Sequence, residues 1–230
     1  RQQHQILELV GVPHRILERQ FKVFVVAASA AVDDAARYGE RRAGTVGFAL
    51  PGVSVRVVDE AGLPAASGEI GGVEVIGPNV FQGYWRMPEK TAEEFRDDGY
   101  FRTGDLGRFD ADGDLHLVGR SKDLIISGGL NIYPKEIEAV IDEVSGVTES
   151  AVIGVPHADF GEAVVAVVVG AEDTRPAIEA AVAGSLARFK HPKAIVFAPE
   201  LPRNTMGKVQ KSRLRDTHAG LFTPAKDPNA

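Results

Sequence analysis

SAVIGVPHADFGEAVVAVVV, residues 150–169, holds two apolar runs separated by PHADFGE. Ser150 to Val155 predicts one strand and Ala163 to Val169 a second. The second run is apolar at every position, without the alternation of a half-exposed strand, so it reads as a strand covered on both faces. Pro134 to Val144 sets Ile137, Val140, Ile141 and Val144 on one face of a helix. Pro176 to Phe189 predicts another helix, Ala194 to Phe197 a strand, and Lys211 to Thr217 a last helical turn. Strands alternating with helices give a compact α/β domain of about 100 residues.

Toward the N-terminus the pattern changes to short strands and turns. Val53 to Val58 and Gly71 to Ile76 read as strands, and Met87 to Phe95 as a helix starting at Pro88. Leu106 to Phe109 and Leu115 to Val118 flank Asp110-Ala111-Asp112-Gly113-Asp114, which reads as a hairpin with an Asp-Gly turn. Residues 1–36 carry no chemical motif. Ile6 to Leu17 has partial helical spacing, broken at Gly11-Val12-Pro13, Phe21 to Val26 suggests a strand, and Ala27 to Tyr38 a short helix. Residues 218–230 read as a tail. The fold class is mixed α/β, a β-rich part followed by a small compact α/β domain.

The 230 residues are 44% hydrophobic and 25% charged, ordinary for a globular protein, with a net charge of -6. An acidic balance speaks against a nucleic-acid partner. There is no cysteine, which excludes disulfides, thiolate metal sites and cysteine nucleophiles and fits a cytoplasmic location. No apolar run nears the roughly 20 residues that span a bilayer.

Three stretches suggest chemistry. Tyr100-Phe101-Arg102-Thr103-Gly104-Asp105 sets a carboxylate after a glycine turn at the mouth of a sheet. Its two oxygens can accept from both hydroxyls of a ribose. Against that stands an ordinary solvated turn aspartate. Residues 119–134, GRSKDLIISGGLNIYP, offer the planar donor fork of Arg120, suited to phosphate or ribose oxygens. They also offer Gly128-Gly129, where a ligand can approach bare backbone. The plainer reading is a glycine-rich connection from strand to helix. Pro202-Arg203-Asn204-Thr205-Met206-Gly207-Lys208 ends on a compact cation that could reach a phosphate. The plainer reading is a surface lysine. The Asp110–Asp114 run is not a calcium loop, because its glycine is at the fourth position and Ser121 stands where the bidentate glutamate belongs. His116 and His157 lack metal-ligand spacing, and no Gly-x-Ser-x-Gly elbow is present.

In this order and spacing the three stretches resemble the adenylate-forming superfamily, over about Tyr38 to Thr217. RRAGTVGFALPGVSVRV (41–57), NVFQGYWRMPEKT (79–91), PHADFGE (156–162) and LPRNTMGKVQK (201–211) are similar to malonyl-CoA synthetases. The resemblance implies a two-step acid–CoA ligase. A carboxylate attacks the α-phosphate of ATP, and CoA then displaces AMP from the acyl-adenylate. By the same resemblance Asp105 binds the ribose and Arg120 contacts the nucleotide. Lys122 is the hinge, Gly128 and Gly129 line the path of CoA, and Lys208 completes the adenylation site. Magnesium would accompany ATP.

The domains implied are an unmatched segment 1–36, the end of a large AMP-binding domain over 37–121, a mobile α/β domain over 122–217, and the tail. The superfamily's Ser/Thr/Gly-rich phosphate loop and acyl pocket have no counterpart in this sequence, and Tyr38-Gly39 runs into Glu40-Arg41-Arg42 without the superfamily's Thr-Glu pair. The chain thus reads as a C-terminal portion. Its alternatives are a ligase of a fatty or aryl acid, or a non-catalytic module that binds a nucleotide or a partner protein.

Overall fold

The computed structural model describes residues 44–49 and 51–222. The expectations for residues 1–36, for Tyr38-Gly39 and for the end of the tail lie outside them. The chain divides into two compact units, Arg1–Leu117 and Val118–Ala230.

The first unit is a sheet ordered β1 (Ser54–Val58), β2 (Gly71–Ile76), β3 (Phe101–Phe109) and β4 (Leu115–Arg120), with the short helix α1 (Pro88–Glu94) between β2 and β3. β1 and β2 are antiparallel, with Val55 opposite Val75 and Val57 opposite Val73. Val57, Val73 and Leu115 form the buried center, the inward set that period-two alternation selects. α1 buries no residue of its own. The Phe95 that follows it joins Phe81 and Phe101 in an aromatic cluster with ring centers 5.0–5.4 Å apart.

Two details differ from expectation. β3 is nine residues long and runs through the predicted glycine turn. The β3–β4 connection is a three-residue loop. The Gly113 N–H donates to the Asp110 carbonyl (3.1 Å), that of Asp110 to the Asp114 carbonyl (3.0 Å), and Gly113 takes φ +84°. Gly113 therefore fills the left-handed position that closes such a loop.

The second unit is built on the antiparallel pair β7 (Val147–His157) and β8 (Gly161–Gly170). β9 (Ala194–Phe197) runs parallel to β8, and the hairpin of β5 (Ile125–Ser127) and β6 (Leu130–Ile132) joins β8 at Gly161. The predicted double cover of β8 is present. Val164, Ala166 and Val168 pack with Ile137 and Ile141 of α2 (Pro134–Asp142) and with Ile178 and Val182 of α3 (Arg175–Ser185). Val165 and Val167 face the other way, toward Leu201 and toward Leu214 of α4 (Lys211–His218). Each Val, Ile or Leu among them contributes about 1.5–3 kcal/mol on burial.

α3 ends at Ser185, before the predicted Phe189. Leu186 turns extended to pack on the core, and Arg188–Lys190 form a single 3-10 turn. Among the described residues no helix is long and apolar enough to cross a membrane.

Candidate functional site

Asp105 owes its setting to a bulge. Leu106 pairs with Gly72 and Arg102 with Glu74, so three residues of β3 stand against Val73 alone. The Thr103 hydroxyl compensates for the lost ladder, donating to the Val73 carbonyl (2.8 Å) and accepting from the Asp105 N–H (3.0 Å). Gly104 takes φ +73°, which a residue with a Cβ rarely adopts, although nothing lies within 4 Å of where a Cβ would be. The half-buried Asp105 thus rises from within a strand rather than from a turn at its mouth, a correction to the sequence reading.

Beside the bulge, Glu74 is 2% exposed and accepts from Nε of Arg56 (2.9 Å) and of Arg96 (2.6 Å), while Arg102 lies 4.0 Å away. Arg56 also reaches Asp98 (2.7 Å), and that hydrogen bond holds the Asp98 carboxyl below its ordinary value. No sequence signal pointed to this knot, since its members share neither a motif nor a helical spacing.

Arg120 closes β4, half-buried, and Ser121–Asp123 form one 3-10 turn in which the Leu124 N–H donates to the Ser121 carbonyl (3.3 Å). The Lys122 side chain is exposed. Its carbonyl accepts from Arg215 of α4 (3.2 Å), and the same guanidinium nitrogen pairs with Asp123 (2.7 Å).

Gly128 and Gly129 form the two-residue turn of the β5–β6 hairpin, with Ser127 opposite Leu130. Their φ values, +58° and +77°, are those of a turn that demands glycine-like backbone at both positions. They therefore join two strands, where the plainer sequence reading had a strand-to-helix connection. β6 is only three residues long, too short to show a period. The Gly128 N–H donates to the Phe160 carbonyl (2.9 Å), and the Ile126 N–H to the Glu162 carboxylate (2.8 Å).

Lys208 sits on a tight hairpin bridged from Arg203 to Val209. Asn204 organises it: its side-chain oxygen accepts from the N–H groups of Met206 and Lys208, each at 3.0 Å. Arg203 braces the base, donating to the Gly207 carbonyl (2.7 Å) and pairing with Glu149 of β7. Gly207 is at φ +75°. The Lys208 ammonium is exposed and has no hydrogen-bond or ion-pair partner among the described residues. A cation held on a rigid loop and left unpaired is available to an anion that arrives.

The structure thus joins Lys122 to Asp123 and Arg215, and Gly128 to Gly129. Lys208 stands on its own hairpin, and Asp105 belongs to the first unit. Elsewhere, burial raises the Tyr133 phenol just ahead of α2, and burial beside Glu94 pushes Tyr84 up to about 12. Among the described residues no group of three or more His, Asp or Glu side chains could hold a metal. Magnesium carried by a nucleotide would need no such group, since it is held through phosphate oxygens and one or two carboxylates.

Two family descriptions match the chain: AMP-binding enzyme over residues 24–85, and AMP-binding enzyme C-terminal domain over residues 136–208. The chain is 40% identical to the sulfoacetate–CoA ligase of Cupriavidus necator over 211 residues, 87% of this chain and 41% of that protein. It is 42% identical to the long-chain-fatty-acid–CoA ligase FadD13 of Mycobacterium tuberculosis over 181 residues, 78% of this chain and 36% of that one. It is 58% identical to ATP-bound MatB from Rhodopseudomonas palustris, with a TM-score of 0.75 over 80% of this chain and 38% of that chain. The chain therefore spans about two fifths of the length of these relatives. With both family descriptions matched in order and the fold shared at this identity, the chain belongs to the AMP-binding enzyme family.

Proposed function

We propose that this chain serves an AMP-forming acid–CoA ligase whose acid is malonate. The observation that carries the reading is the 58% identity to ATP-bound MatB, a malonyl-CoA synthetase, against 40–42% for the sulfoacetate and fatty-acid ligases. In the first step an acid oxygen bonds to the α-phosphorus of ATP and the bond to pyrophosphate breaks. In the second, the CoA sulfur bonds to the acyl carbon and AMP leaves with the electron pair of the broken anhydride.

The side chains of this chain fit separate parts of that sequence. Asp105 accepts from the ribose hydroxyls, and Arg120 donates to the nucleotide. Lys208 neutralises charge that grows on the phosphoryl oxygens in the first step only. Gly128 and Gly129 leave room for the CoA arm, and Lys122 lies where the backbone turns between steps. The domains follow the same reading, a large-domain portion up to residue 121 and a mobile domain over 122–217.

A second reading, a ligase for another acid, is supported by the sulfoacetate and long-chain relatives. Sulfoacetate and malonate share a short skeleton with an anionic group at each end, so those two are the closest competitors. The test uses the full-length protein containing residues 1–230, with ATP and CoA, and offers malonate, sulfoacetate, octanoate and ferulate in parallel. Pyrophosphate release and thioester mass are the readouts. Malonyl-CoA as the main product supports the proposal. Preference for another acid overturns the substrate, and silence with all four acids from a folded protein overturns the ligase.

A further inference from the structure

α4 begins three residues after Lys208 and turns Lys211, Leu214 and Arg215 toward the body of the second unit. Positions three and four apart share a helix face, so the three act together. Leu214 is 5% exposed within the apolar layer on the outer side of β7 and β8. Lys211 pairs with Glu138 of α2, which also accepts the Val152 N–H of β7 (2.9 Å). Arg215 holds Asp123 (2.7 Å) and the Lys122 carbonyl (3.2 Å), 92 and 93 residues away in sequence. The Lys208 hairpin is fastened to the same body through Arg203 and Glu149, and the Gln210 N–H on the Pro202 carbonyl (2.7 Å) closes its base. The hairpin, α4 and the Asp123 end of the 3-10 turn are therefore tied to one body.

We propose that Arg215, acting on Asp123 and the Lys122 carbonyl, is a positioning residue that pins the downstream side of the Ser121–Asp123 turn, so that the backbone change between the two half-reactions falls upstream of Asp123. The proposal rests on the ligase reading. A hinge works when a few residues absorb the dihedral change and their neighbours do not. With Asp123 pinned, a rotation at Arg120–Lys122 carries the whole body without internal slack. Without the pin, Asp123 and Leu124 flex as well, and both working orientations become less defined.

The test compares Arg215→Gln with wild type in the full-length protein containing this chain. Hydrogen exchange is followed at residues 121–126. Acyl-adenylate formation from malonate and ATP, and thioester formation from prepared malonyl-adenylate and CoA, are timed separately. Exchange at 121–126 is expected to speed up while 150–169 stay protected. Both half-reactions are expected to slow by about tenfold, the kind of loss that small misplacement imposes. The charge-reversed pair Asp123→Arg with Arg215→Asp is expected to recover part of both rates.

Slowing of adenylate formation alone would make Arg215 mere local support for the lysine hairpin and overturns the proposal, as does unchanged exchange at 121–126. Should 150–169 lose protection in Arg215→Gln, the milder Asp123→Asn decides. Matched slowing of both half-reactions supports the pin, and wild-type rates overturn it. A wild-type protein that forms no acyl-adenylate removes the ligase reading and the positioning role of Arg215 in it, while the exchange result still reports on the pin itself.

Discussion

Lys208 and Glu74 are opposite cases of a single charge. Lys208 is exposed and lacks a partner among the described residues, so removing it costs the fold little. Under the proposed chemistry Lys208→Ala slows acyl-adenylate formation on the order of 10²–10³-fold. It leaves thioester formation from preformed adenylate near wild type. Equal loss in both assays would falsify its assigned role. Glu74 is buried at 3% side-chain exposure, and its acceptors are shared by Arg56 and Arg96. Glu74→Gln keeps the shape and removes the charge that both guanidinium groups need. It is expected to destabilise the first unit by about 1–3 kcal/mol, read from urea unfolding. The arginines are about one quarter exposed and partly rehydrate, which keeps the cost from rising further.

At the scale of elements, the two hairpins respond to different perturbations. The Gly128–Gly129 turn depends on backbone handedness. Gly128→Ala meets ordinary contact with Phe160 at 3.6 Å, so its cost comes from φ +58° and is about 1–2 kcal/mol, measured as a lower denaturation midpoint. The β3–β4 hairpin depends on charge. Hydrogen bonding to His116 (2.9 Å), helped by the N–H groups of Asp114 and Asp112, holds the Asp110 carboxyl below its ordinary value of 3.8. A depressed carboxylate stabilises the folded form above the unfolded value, and that support is lost as pH falls through the folded one. The hairpin is therefore expected to weaken only below the ordinary value of 3.8, with exchange of the Gly113 N–H, hydrogen-bonded within the loop, reporting it. Asp110→Asn abolishes that acid-dependent step. A step persisting in Asp110→Asn would assign it to another group.

Across the whole molecule, stability is expected to concentrate where two apolar layers share a sheet. Ala163 to Val168 are all buried, with alternate residues in opposite layers. The slowest-exchanging backbone N–H groups should therefore lie in β7 and β8. Ile137, fully buried, is the matching probe: Ile137→Ala is expected to cost about 2–5 kcal/mol and to speed exchange in both strands. Slowest exchange in the first unit's sheet instead would show that stability does not concentrate in the layered core.

Local pattern determined that β8 is covered, because a fully apolar strand has no face to offer solvent, and Pro134–Asp142 and Arg175–Ser185 carry the apolar faces that cover one side of it, while Leu201 and Leu214 cover the other. It also determined the β3–β4 hairpin, whose Asp-Gly pair marks the turn, and the ordered run from Gly119 to Pro134 that pointed to the family, although not that Gly128 and Gly129 join two strands. Tertiary structure alone decided how Asp105 is presented, because the bulge requires Thr103 to find the Val73 carbonyl of another strand. It alone assembled the Glu74 knot from residues 18 and 22 apart, and tied Arg215 to Asp123 across 92. The reason is the same in each case: such partners are brought together by the path of the chain, and neither helical nor strand periodicity encodes that path.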